Sequence, residues 1–99
     1  MNLHQTDFER RTSVRVPLDL RSSHHLAEAT ATLVHGFKSE IDLRVGDISI
    51  DAKSSAMARA FLEVLRGRTV ELVVWGEDSV PALRSLAALF KQALGVHHA

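Results

Sequence analysis

No cysteine occurs among these 99 residues, which excludes a disulfide framework and a thiolate zinc site and leaves a reducing compartment, the cytoplasm, as the default. An excess of one charge is also lacking. Twelve Lys and Arg stand against twelve Asp and Glu, so no global field points to nucleic acid or to an anionic membrane. Nowhere do ~18 apolar residues follow one another, the least that a spanning helix needs, so no membrane insertion is expected. Residues 1–12 include Asp7, Glu9, Arg10 and Arg11 and no apolar run, and read as a flexible N-terminal lead rather than a signal peptide or anchor. There is no Gly-rich phosphate loop, no metal-ligand cluster, no Ser-His-Asp order and no basic run, so neither a cofactor nor a metal is expected. His97 and His98 lack a third ligand nearby and read as part of a frayed tail over residues 96–99.

What is present is an ordinary globular balance, 45% apolar and 24% charged. The length suits one domain, here residues 13–95, since domains typically run about 100–150 residues. Val14, Val16, Leu18 and Leu20 alternate with Arg15, Pro17, Asp19 and Arg21, the period of a strand with one buried face. From Ser22 or Ser23, Leu26, Thr30, Leu33, Val34 and Phe37 recur at three and four, which predicts a helix over residues 23–35. Either serine is a suitable N-cap, and Gly36 a left-handed stop, with His35 favoured at the negative end of the helix dipole. Ile41, Leu43, Val45, Ile48 and Ile50 alternate about Gly46-Asp47, a Gly-first pair that suits a type II′ hairpin.

Ser54 or Ser55 then opens a second helix with Met57, Ala60, Phe61 and Val64 on its inner face, ended by Gly67. Val70, Leu72 and Val74 form a fourth strand that runs to Trp75, a residue expected to pack in the core or over the sheet edge. Gly76 breaks that strand, and Asp78 or Ser79 caps a last helix that carries Pro81 in its first turn and an apolar stripe of Leu83, Leu86, Ala87, Phe90 and Leu94. The order strand, helix, strand, strand, helix, strand, helix makes an α+β fold: a four-stranded antiparallel sheet covered on one face by three helices. Asp42, Arg44 and Glu71 belong on its open face.

Three stretches carry a family resemblance: Gly36-Phe37-Lys38-Ser39-Glu40-Ile41, Asp51-Ala52-Lys53-Ser54 and Gly76-Glu77-Asp78. In order and spacing, over residues 13–94, the chain resembles the HPr histidine-containing phosphocarriers of the bacterial phosphotransferase system, with one residue inserted in or after the second helix. The resemblance implies the HPr-like open-faced β-sandwich (βαββαβα). It also implies a phosphoacceptor at the start of the first helix, where the family has Gly-Leu/Ile-His-Ala/Thr-Arg-Pro-Ala. Unpaired N–H groups and the helix dipole suit a phosphoryl dianion there.

Here that stretch reads Leu20-Arg21-Ser22-Ser23-His24-His25-Leu26. Counting back from Phe37 puts Ser23 at the acceptor position, and a shift of one residue puts His24 there. In both registers the family's arginine is lost. By the resemblance, His24 is the candidate acceptor, with His25, Ser23 and Arg21 as phosphate contacts. Glu28, one turn on, either orients the His24 ring or repels the phosphate. Ser54 matches the family's regulatory serine, although its residue type and place read first as an ordinary N-cap; Ser55 and Ala56 replace the bulky apolar residues with which the family docks partners.

Two functions follow from the resemblance. One is a stoichiometric phosphocarrier or regulator of the phosphoenolpyruvate-dependent phosphotransferase system, not a turnover enzyme, loaded by an Enzyme I-like donor and unloaded to a transporter or regulatory acceptor. The other is a pseudo-phosphocarrier that regulates a partner protein by binding alone. A monomer is expected.

Overall fold

The computed structural model describes residues 9–95. The expected tail over residues 96–99 and the first eight residues of the expected lead lie outside them. The elements are β1 (Glu9–Arg15), α1 (Leu20–Val34), β2 (Glu40–Val45), β3 (Ile48–Asp51), α2 (Met57–Ala60) running into a π-helical turn (Phe61–Leu65), β4 (Thr69–Trp75) and α3 (Ser79–Gly95). The strands form one antiparallel sheet in the order β1-β4-β2-β3. Strand, helix and hairpin order match the expectation from sequence.

The sheet has two chemically distinct faces because side chains alternate along each strand. Val14, Ile41, Leu43, Val70, Leu72 and Val74 point inward and meet Leu26, Ala27 and Val34 of α1, Met57, Phe61 and Leu65 of the second helical segment, and Ala82, Leu86 and Phe90 of α3. The Phe61 and Phe90 rings stand 6.0 Å apart. On the other face Arg11 pairs with Glu9 and Glu71, and Arg44 lies 3.2 Å from Asp42. Trp75 is half-buried at the end of β4, opposite Glu9 and Glu40. Gly46 has φ +56, while among the described residues none other than glycine has a positive φ. Asp47 is thereby excluded from a type I′ turn and fits the expected II′.

Four expectations are corrected. The first strand lies at Glu9–Arg15, so residues 9–12 are strand and not lead. Its inward positions, Arg10, Thr12 and Val14, hold one apolar residue, too few for a visible alternation. Val16 and Pro17 are buried in the connection that follows, and Leu18 and Leu20 are exposed. The first helix starts three residues earlier than predicted, at Leu20, capped by Asp19 rather than by a serine. Gly36 is not left-handed; α1 ends in a tight turn in which the N–H groups of Gly36 and Phe37 donate to the carbonyls of Leu33 and Val34. Finally, neither Ser54 nor Ser55 caps α2: Ala56 holds that position without a side-chain bond; Leu65 joins the buried face, beside a Val64 that is partly buried against the core.

Candidate functional site

The start of α1 is built on Asp19. Its backbone is extended (φ −70, ψ 143), its Oδ2 accepts from the Ser22 N–H at 2.9 Å, and its carbonyl accepts the first helical bond, from the Ser23 N–H at 3.1 Å. A carboxylate therefore occupies the place where free N–H groups would hold an anion. His24 falls in the second turn, past the donors that make a helix N-terminus attractive to phosphate.

The candidate side chains do not converge. His24 is exposed, and its Nε2 lies 3.6 Å from Glu28 Oε2. His25 has its ring centroid 6.3 Å from that of His24, tilted by 43°. It lines a groove between α1 and α3 with Ser22, Leu26, Ala29, Leu89 and Gln92. Arg21 is exposed, three residues before His24 and on the same side of the helix. Ser23 is wholly buried, and its hydroxyl donates to the Phe61 carbonyl at 3.3 Å. The Ser23 hydroxyl is thus turned into the fold and away from solvent.

Ser54 stands in the turn between β3 and α2, three residues before the helix. Its hydroxyl and N–H both donate to the Asp51 carbonyl, at 2.8 and 3.0 Å. The adjacent Lys53 ammonium donates to the carbonyl of Phe37, beyond the C-terminal end of α1, at 2.8 Å.

Sequence reasoning missed the cap at Asp19, whose signal is an aspartate three residues before Ser22. Asp78 is expected only as a helix cap; its carboxylate instead accepts from the N–H groups of Lys38 and Ser39, at 2.8 and 2.9 Å, and from the Ser39 hydroxyl. The Ser39 hydroxyl first, then the Lys38 N–H, holds the Asp78 carboxyl below the ordinary carboxylate range.

The sequence model of the family described as the PTS HPr component phosphorylation site matches residues 9–92. The chain belongs to the HPr family. No curated protein matches by sequence. Among solved structures it is similar to a phosphocarrier HPr from Bacillus anthracis str. Ames, with 21% identity, a TM-score of 0.61 and coverage of 83% of this chain and 96% of that one. It is also similar to HPr-C-His from Thermoanaerobacter tengcongensis, with 25% identity, a TM-score of 0.61 and coverage of 88% and 94%. A third is the Bacillus subtilis catabolite repression protein Crh, described as a domain-swapped dimer, with 23% identity, a TM-score of 0.54 and coverage of 81% and 86%.

Ser23 and His24, the two positions aligned above with the family's acceptor, fall at the fourth and fifth residues of α1, after the start at Asp19-Leu20-Arg21. The second helical segment ends in a π-helical turn at Phe61–Leu65, which takes up one residue more than an α turn. No helix among the described residues is long and apolar enough to cross a membrane.

Proposed function

We propose that this HPr-family protein regulates a partner protein of the phosphotransferase system by binding it, without carrying a phosphoryl group on histidine. The observation that supports this reading is the Asp19 carboxylate at the start of α1, 2.9 Å from the Ser22 N–H. It uses a donor that a phosphoryl group would need and adds negative charge beside the dianion. Glu28, 3.6 Å from the His24 ring, adds a second carboxylate.

The test is intact mass after incubation with phosphoenolpyruvate and Enzyme I from the source organism, kept alkaline to protect phosphohistidine, with a standard HPr labelled in parallel. The expected result is no adduct on this chain. An adduct of about 80 Da that disappears in His24→Ala would overturn the reading.

That outcome would favour the second reading, a phosphocarrier with His24 as acceptor and with Arg21 and His25 as phosphate contacts. Its support is the accessibility of the His24 ring, whose side chain is 57% exposed. In both readings the partners are cytoplasmic proteins, an Enzyme I-like donor or a transporter or regulatory acceptor, and Ser54 is a candidate regulatory phosphorylation site. Both take the chain as a monomer, unlike the swapped Crh dimer.

A further inference from the structure

The sheet ends on one side at β1, which pairs with β4 and has no strand beyond it among the described residues. The Val16 N–H donates to the Arg68 carbonyl at 3.0 Å, in line with the register of that pair. Hydrogen-bonded and non-hydrogen-bonded pairs alternate along an antiparallel ladder, so Arg10, Thr12 and Val14 bond to β4, while the backbone groups of Glu9, Arg11, Ser13 and Arg15 point away from the sheet. The Glu9 carbonyl agrees with this direction, accepting from the Arg10 guanidinium at 2.9 Å. Neither a proline nor a break in register interrupts the seven residues of this edge.

Beneath the edge α3 packs against β1. Arg10 and Thr12, on the inward face of the strand, share a groove of about 310 Å³ with Val80, Leu83, Arg84 and Ala87. Spacings of three and four put those four α3 residues on one side of the helix; Val80 is 43% exposed, and Leu83 and Ala87 are half-buried. A fifth strand laid about 4.8 Å outside β1 would set its inward side chains over this stripe. The edge is also basic. Against Arg10, Arg11, Arg15 and Arg84 stand Glu9 and, one strand in, Glu71, both engaged by Arg11. Neither Arg15 nor Arg84 makes an ion pair among the described residues.

We infer that the β1 edge, with the α3 stripe beneath it, receives an extended, acidic segment of a partner protein that pairs with β1 as a fifth strand. Main-chain bonds at an edge supply affinity and alternate side chains supply selectivity: apolar ones over Val80, Leu83 and Ala87 on one side, carboxylates beside Arg11 and Arg15 on the other. Arginines along an edge discourage strands of like charge, a second copy of β1 included. The inference goes beyond the function proposed above, concerns a surface other than the start of α1, and is independent of whether His24 is phosphorylated.

The test titrates the isotope-labelled full chain with a short peptide of alternating glutamate and valine, and with its counterpart of lysine and valine, reading backbone amide shifts and amide hydrogen exchange. With the glutamate peptide, exchange at Arg11 and Ser13 should slow by about tenfold or more, since their N–H groups then bond to the added strand, and shifts should cover residues 9–15 and 80–87. The lysine peptide should bind about tenfold more weakly or worse. Ser13→Pro takes away an outward N–H and none of the bonds to β4, and should weaken binding about tenfold. Arg15→Glu with Arg84→Glu, both at exposed positions, should weaken it comparably and leaves the β1–β4 pairing intact, so the inference stays open to test even with an unfolded proline variant.

Unslowed exchange at Arg11 and Ser13, equal binding of the two peptides, undiminished binding by the doubly substituted chain, or shifts centred on residues 16–25 or 54–58 would each overturn the inference. Protection of Arg11 and Ser13 that rises with protein concentration alone would also overturn it, giving the edge to a second copy. The function proposed above fails separately: an adduct on His24 removes the binding-only reading while the peptide titration still judges the edge, and loss of the edge leaves an absent adduct unexplained by neither result.

Discussion

Asp19 and Asp78 each stand immediately before a helix, α1 and α3, and use that position in opposite ways. The Asp19 carboxylate turns into its own helix and accepts from the Ser22 N–H. The Asp78 carboxylate turns away from its own helix, toward Lys38 and Ser39 in the loop that joins α1 to β2. What separates them is tertiary approach. At Gly76, φ is +140 and the backbone passes so close to Ser39 that a Cβ would lie 2.9 Å from Ser39 Cα; the carboxylate two residues later meets two N–H groups and a hydroxyl. The bond from Ser22 to Asp19 spans three residues, whereas those from Lys38 and Ser39 to Asp78 span 40 and 39. One aspartate closes the fold, and the other starts a helix.

The largest loss should come from opening the close approach itself. Gly76→Ala places a Cβ 2.7 Å from Ser39 Oγ at a φ that L-residues rarely adopt, and should lower stability by roughly 3 kcal/mol or more in denaturant unfolding. Gly46→Ala is the control: φ is +56 with nothing within 4 Å of the added Cβ, so it should cost only about 1 kcal/mol of backbone strain. Equal losses would mean that strain, and not the approach to Ser39, governs both sites.

The next effect concerns the charge on Asp78. Its folded-state carboxyl is held below the ordinary range by the Ser39 hydroxyl and the Lys38 N–H. Its contribution is therefore complete above the unfolded value near pH 4 and drains away as the pH falls through the lower folded value. Asp78→Asn keeps the shape and cannot ionise. Thermal midpoints of wild type and variant should differ at neutral pH and converge only as the pH falls through the lowered folded value. A gap that persists in acid would show that the clasp works through shape alone.

The same two regions show what a single sequence makes legible. The helices over Leu26 to Val34 and Leu83 to Leu94, and the hairpin about Gly46-Asp47, announce themselves by period and turn chemistry, because their apolar faces are continuous. β1 does not, since it is held by backbone pairing with β4 along its whole length and needs little apolar alternation. The start of α1 is ambiguous in sequence because Asp19, Ser22 and Ser23 are all good caps, and local propensity cannot rank them. As for the candidate site, His24, His25 and Ser54 are visible as residue types, and their surroundings are not. Ser23 is sealed by a bond to Phe61, 38 residues away, and the Asp78 clasp spans 40 residues to Lys38. Contacts of that range leave no periodicity to read.

The smallest expected effects lie at the α1 end. Asp19→Ala removes the cap and should cost about 1 kcal/mol, whereas Asp19→Asn, which keeps an acceptor for the Ser22 N–H, should cost only a few tenths. His24→Ala breaks an exposed pair with Glu28 at 3.6 Å and should stay within a few tenths of a kcal/mol in the same denaturant titration. A local cap serves the first turn, and its loss is partly made good by water, so Asp19→Ala should remain well short of Gly76→Ala. If it instead matched that glycine variant, the α1 start would be tied to the rest of the fold as tightly as the Asp78 end is.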